Sequence, residues 1–342
     1  MNFDQVREAI EQHGMNCVDY KTRSPSITVL PTGQVCLAEE LFAQANVETI
    51  YDPTDYARTS LLTRLGLEKR AFDKMLTYPK GHDCAGTFDL PLQSVVMNYL
   101  LRLHHPDKGW MVRTRRDTVR AFLTDRFTPF DHRPYLDALL HPETGINKAA
   151  QVHQFSLGTL AEDMYLKLKF PELRVQRDGE EYHVGVICYN GELGNRAAGI
   201  EPFIHRKACL NDMVVVSEWA WKQRHIGGGF SNRLLTAIFA DRILHACREA
   251  LDTVDKLEEL RQVEIPDLNK EIAKLKAEYH LGDNQTAQVQ AFTLEEAFGQ
   301  VPTAFAYVNA VTRLARLQES VDVRFDLETA AGKELVRLHR RV

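Results

Sequence analysis

The stretch that decides the fold runs His183-Val184-Gly185-Val186-Ile187-Cys188-Tyr189-Asn190-Gly191-Glu192-Leu193-Gly194. It resumes at Phe203-Ile204-His205-Arg206-Lys207-Ala208-Cys209-Leu210-Asn211-Asp212-Met213-Val214-Val215-Val216 and closes at Arg224-His225-Ile226-Gly227-Gly228-Gly229. Two segments rich in Val, Ile and aromatics, 181–189 and 213–219, read as strands. Between them lie two turns, set by Asn190 and Gly194 in the first and by Asn211 in the second.

Outward from this core, residues 109–225 continue as β structure with short helices. A strand is predicted at 110–114 and a short helix at 117–124, with Asp117 near its positive end. Residues 155–170 fit neither period. Residues 1–12 and 59–76 read as helices, 92–103 as an apolar helix, and 26–37 as two short strands around Pro31-Thr32-Gly33-Gln34. Residues 231–263 predict a long helix opened by Ser231 or Asn232 and stopped by Pro266. Leu268, Ile272, Leu275 and Tyr279 then mark a second helix able to pack back on the first, and 294–317 adds helix split near Pro302. The expected fold class is α+β: a mixed region at 1–105, a central, mainly antiparallel β region at 106–230, and a helical region at 231–342.

Bulk properties exclude some classes. The chain has 342 residues, 44% of them hydrophobic and 26% charged. No uninterrupted apolar run approaches the roughly 18 residues of a membrane span. The first residues lack the basic and apolar blocks of a secretory signal. Six cysteines are scattered singly, with no CxxC pair, which predicts reduced thiols in a cytoplasmic protein. The net charge of −5 is local in origin: residues 1–60 hold nine acidic and four basic side chains, and the rest balances. Residues 111–133 carry six arginines against three aspartates, so a polyanionic partner is compatible with the acidic total.

Candidate chemistry concentrates in two places. Arg113, Arg115, Arg116, Arg120 and Arg126, interleaved with Trp110 and Phe127, suit a nucleic-acid surface on which guanidinium meets phosphate and rings stack on bases. The competing reading pairs Arg126 with Asp125 or Asp131 and puts the rings in the core. Arg206 and Lys207, with His205, Lys222, Arg224 and His225, serve equally as phosphate contacts or as a solvated strand edge. The triple glycine at 227–229 is not a Walker A loop. Cys188, His205 and Cys209, or His104, His105 and Asp107, lack zinc spacing, so no metal or cofactor is expected. GxSxG, HExxH and GxGxxG are all missing from the sequence.

Two blocks resemble a family of phage- and plasmid-borne proteins known as domain of unknown function nine-thirty-two. The first is Val119-Arg120-Ala121-Phe122-Leu123-Thr124-Asp125-Arg126-Phe127, similar to that family's Arg-Ala-Phe-Leu-Ser-Asp-Arg-Tyr segment. The second is the paired asparagine signature, Asn190-Gly191-Glu192-Leu193-Gly194 and Cys209-Leu210-Asn211-Asp212-Met213, with the Arg224-His225-Ile226-Gly227 ending. Gly191 and Asp212 depart from the family's usual serine and glycine; Asp tolerates a left-handed turn there. The resemblance covers roughly residues 110–260 and implies DNA metabolism. The expectation is a homo-oligomeric single-stranded-DNA-binding protein, with strand annealing in recombination as its role, without enzymatic activity. The alternatives are a nuclease holding Mg²⁺ on Asp125, Asp131 and Glu192, and an assembly or defence protein acting through the helices of 231–317.

Overall fold

Met164, Leu166, Leu168 and Phe170 alternate with Tyr165, Lys167 and Lys169, the period-two pattern of a strand with one face in a core. The structure is a computed structural model and describes residues 1–41, 45–67, 92–158, 162–228 and 230–341. In chain order, the first part comprises α1 (Phe3–Gly14), β1 (Cys17–Arg23), β2 (Ile27–Val29), β3 (Val35–Leu41), β4 (Ala45–Pro53), α2 (Asp55–Arg64) and α3 (Leu92–Tyr99). Then come β5 (Gly109–Arg115), β6 (Thr118–Thr124), α4 (His132–Leu139), α5 (Ile146–Ala149), β7 (Gln151–Leu157), β8 (Met164–Arg177) and β9 (Glu180–Asn190). The remainder is β10 (Ala198–Arg206), β11 (Asn211–Val214), β12 (Trp221–Gln223), α6 (Asn232–Glu259), α7 (Leu268–Tyr279), α8 (Asp283–Glu296), α9 (Ala304–Arg316) and α10 (Val321–His339). The chain is α+β, with antiparallel sheets in the middle and helices at the C-terminal end.

The first sheet has the order β1-β5-β6-β4-β3-β2, antiparallel except where β4 meets β6. One face, with Trp110, Val112, Val119 and Phe122, packs under α2 and α3. On the opposite face Met111, Ala121, Leu123 and Phe127 form a small cluster with Leu193, which belongs to the turn after β9. That cluster joins the first sheet to the second.

The second sheet runs β11-β10-β9-β8-β7, with β12 on β10. Its apolar face packs on α6 through Leu235, Phe239, Ile243, Cys247 and Val254 in one continuous core. Ser231 caps α6 by accepting from the Leu234 N–H, as its sequence position predicts. The opposite face is concave. In a flat sheet β7 and β11 would stand about 19 Å apart, four strand spacings. Yet His153 of β7 lies 3.4 Å from Asp212 of β11, and Lys167 of β8 is 2.6 Å from the same carboxylate. The sheet therefore curls until its two edges nearly meet, and α10 lies across the opening with Phe325 and Glu328.

Several sequence expectations need correction. Residues 118–124 form β6, not a helix, because β5 pairs with them across a tight turn in which Arg116 has φ +55°. The strand expected at 213–219 is confined to β11. The helix expected at 59–76 is α2; the part beyond residue 67 lies outside the described residues. α7 packs mainly against α8, and its Ile272 and Leu275 join the same core as α6. The helices of 231–341 share the core of the second sheet, so they are no detachable module.

Gly332 of α10 is a contact point that only glycine fills: a Cβ there would sit 1.9 Å from the Val214 carbonyl oxygen. Helix propensity alone favours Gly332→Ala by about 1 kcal/mol, but overpacking against backbone costs about 1–3 kcal/mol. Gly332→Ala is expected to lower the urea midpoint; an unchanged or raised midpoint would show that α10 does not ride this close to β11.

Candidate functional site

The two sequence blocks meet in space. Gly194, with φ +75°, rests on Leu123 and Phe127, where a Cβ would approach to 3.2 and 3.3 Å. Phe127 forms an isolated antiparallel bridge with Ile226, and the Thr128 N–H donates to the His225 carbonyl. Tyr56 of α2 donates its hydroxyl to the Leu193 carbonyl. Thr124, Phe127, Gly194, Arg196, Lys222, Arg224 and Ile226 thus line one open groove of about 1000 Å³.

Beneath this junction lies a buried charge network. A β-bulge between β5 and β6 leaves Arg120 as the unpaired extra residue, which redirects its side chain inward. Its guanidinium donates to Glu162 Oε2 and Glu192 Oε2, each at 2.8 Å, and to Cys17 Sγ at 3.2 Å. Arg113 donates to Asp19 Oδ1 at 2.8 Å, to Asp131 Oδ1 at 2.5 Å and to the Glu192 carbonyl at 2.6 Å. Glu192 Oε1 accepts from the His132 backbone N–H at 2.8 Å, at the positive end of α4. His132 Nε2 faces the Glu162 carbonyl at 2.9 Å and Nδ1 faces Asn190 Nδ2 at 3.1 Å, which fits a neutral ring protonated on Nε2. Burial pushes His132 below its usual pKa; burial also works against the Glu192 carboxylate, but a hydrogen bond from His13 and the Arg120 guanidinium hold it well below its ordinary range.

This arrangement decides the sequence candidates. Arg113 and Arg120 are each 1% exposed and fully engaged, so they are framework residues and not phosphate contacts. Arg206 is likewise buried, on Glu180 and Glu296 and over the Phe305 ring. Trp110 is core, donating to Ser24 Oγ at 2.8 Å. Phe127 is stacked on His225, ring centroids 5.3 Å apart, and offers no open face to a base. Arg115 pairs with Glu162, and Lys207 is exposed but paired with Glu181 at 2.6 Å. Arg116 and Arg126 are exposed, with no ion pair among the described residues. In the second turn Leu210, at φ +53°, takes the left-handed position, while Asn211 and Asp212 are already strand. Asn190 is fully buried and donates to the Phe130 carbonyl at 3.0 Å.

Asp125, Asp131 and Glu192 do not gather into a ligand set. Asp131 and Glu192 are already held by Arg113 and Arg120, while Asp125 lies against Gly109. Cys188 points into the α6 core and His205 to the concave face, so the two cannot share an ion. Among the described residues the groups able to hold one are His13, His132 and Glu192, and His153, His205 and Asp212. Apart from His205 and Asp212, which pair across the β10–β11 hairpin, their residues are scattered along the chain, so no local spacing marked either group. The five described cysteines are free, and no helix among the described residues is long and apolar enough to cross a membrane. Comparison of the chain with family models, curated proteins and solved structures finds no match.

Removing the central guanidinium leaves the buried Glu192 carboxylate without its arginine partner. Arg120→Met is expected to cost about 3–5 kcal/mol in denaturant unfolding, whereas Arg126→Met should stay within about 0.5 kcal/mol of the parent. Equal effects would refute the division between framework and surface arginines. His225, stacked between Phe127 and Phe230, is pushed by burial to about 4. Its unfolded imidazole takes a proton that the folded one refuses, so stability falls as pH drops from 6.5 towards 4. His225→Phe is expected to lose less stability between pH 7 and pH 4.5, by of order 2 kcal/mol; parallel losses in the two proteins would reject that assignment.

Proposed function

We propose that the chain binds single-stranded DNA along the groove where residues 124–127 meet residues 222–226. The observation that carries this reading is the placement of Lys222 and Arg224 on the groove wall, exposed and without ion pairs among the described residues. Arg126 is exposed one residue before Phe127, which lines the same groove. Exposed Ile226 adds an apolar step on which a base can rest. Asp55, Asp322 and Asp326 also line the groove, and Asp326 pairs with Arg196 at 3.2 Å, so the surface is not uniformly basic. Contacts of this kind read the phosphate backbone and not base edges, which gives salt-dependent binding with little sequence preference. Repetition of one modest groove in a homo-oligomer raises avidity without new contacts, and this agrees with the annealing role that the family resemblance implies.

The test is fluorescence anisotropy on labelled single- and double-stranded oligonucleotides across a salt series, with complex size measured in parallel. Arg126→Glu, Lys222→Glu and Arg224→Glu are each expected to weaken binding to any sequence and to lower the salt slope by about 1. Folded variants that bind like the parent would displace the proposed surface, and a parent that fails to bind at low salt would end the DNA reading.

A further inference from the structure

The concave face of the second sheet carries a separate constellation that DNA binding does not use. A register shift between Val152 and Gln154 leaves His153 as the extra residue of β7. Its ring swings over the concavity to within 3.4 Å of Asp212. His205 approaches the other oxygen of the same carboxylate, Nδ1 to Oδ1 at 2.7 Å, and the two imidazole rings stand 4.8 Å apart. His205 and Asp212 are buried and His153 is partly open, which leaves a way in from solvent.

We propose that His153, His205 and Asp212 form a binding site for a divalent transition-metal ion of the zinc type. Their ligand atoms all lie within 4.8 Å of one another. Zinc holds nitrogen and oxygen ligands at about 2.0–2.2 Å, so neighbouring ligand atoms at the 3.4 Å of His153 and Asp212 already suit it. The two imidazoles are borderline nitrogen donors, and with only one hard carboxylate beside them they select zinc, cobalt, nickel or copper over magnesium or calcium.

The neighbouring cation distinguishes this group from His13, His132 and Glu192. There the guanidinium of Arg120 stands 2.8 Å from Glu192 and 3.1 Å from His13, and it cannot give up its charge. A dication would have to share its ligands with a fixed positive group. Here the neighbour is Lys167, whose ammonium sits on a flexible four-carbon stem and can swing from one carboxylate to another. Lys167 spans Asp212 at 2.6 Å and Glu328 at 2.7 Å. Glu328 is 3% exposed, and its Oε2 has no hydrogen-bond partner among the described residues. When Asp212 turns to an ion, that oxygen can take the ammonium it releases. Lys167 and Glu328 are positioning residues in this scheme. The consequence is mechanical: one ion clasps β7 to β11, the two edges of the curled sheet.

The full chain, freed of metal with a chelator and without DNA present, is titrated with Zn²⁺ by calorimetry and with Co²⁺ by visible absorption. One ion per chain, cobalt bands of a nitrogen–oxygen site and a raised Tm with Zn²⁺ are expected. His205→Ala or Asp212→Asn should weaken Zn²⁺ binding by about 100-fold or more, since even outer partners of such ligands are worth 10–100-fold. His153→Ala, on a partly exposed edge strand, keeps the test available if a buried variant does not fold. His183→Ala should retain binding. The proposal fails if the folded parent shows no saturable binding, or if folded His153→Ala and His205→Ala bind like the parent.

Discussion

The carboxylate of Glu192 is the contact on which the rest of the molecule depends. It sits in the turn after β9 and accepts from Arg120 of β6 and from the first N–H of α4. Arg120 in turn reaches Glu162, and Arg113 extends the same web to β1 and to Asp131. A buried carboxylate is costly unless every lone pair is used. Each element that supplies a partner is therefore held in place by that demand, and the two sheets are registered against each other by charge as well as by the small apolar cluster around Leu193.

Two β-bulges supply residues that regular pairing could not. In β6 the extra residue is Arg120, in β7 it is His153, and each carries a titratable or charged group into a concealed cluster. The bulges also add local twist, and strong curling of the second sheet is what brings β7, β8 and β11 around Lys167 and Asp212. Placement of charge then separates roles. Cations that the bulge and the sheet draw inward become framework, while Arg126, Lys222 and Arg224 stay at the surface beside the groove.

Much of the framework was legible along the chain. Val184, Val186 and Cys188 alternate as a strand does, and the Ser231 cap places the start of α6 to within a residue, although the α-helix ends at Glu259 and not at the expected 263. The misreading of 117–124 has a definite cause. Arg-Ala-Phe-Leu is equally at home in a helix, and only pairing with β5 makes it a strand. The α10 helix drew no sequence expectation of its own, although it closes the concave face. The candidate site was half visible: Asn190, Gly194, Phe127 and the 224–227 ending were singled out and do converge, but of the arginines chosen as surface groups Arg113, Arg120 and Arg206 are buried, while Arg116 and Arg126 are exposed.

The sequence by itself determined the α+β class, most strand and helix positions, and which short segments were unusual, because periodicity, caps and turn residues are local properties. Tertiary structure alone decided which charges face water and which face each other. His13, Arg120, His132, Glu162 and Glu192 come from five separate stretches, and His153, Lys167 and Glu328 come from three others to join His205 and Asp212, which face each other across the β10–β11 hairpin. Apart from that pair no local spacing links them. Their proximity follows from desolvation, which forces each buried charge to find its counter-charge wherever the folded chain has brought one.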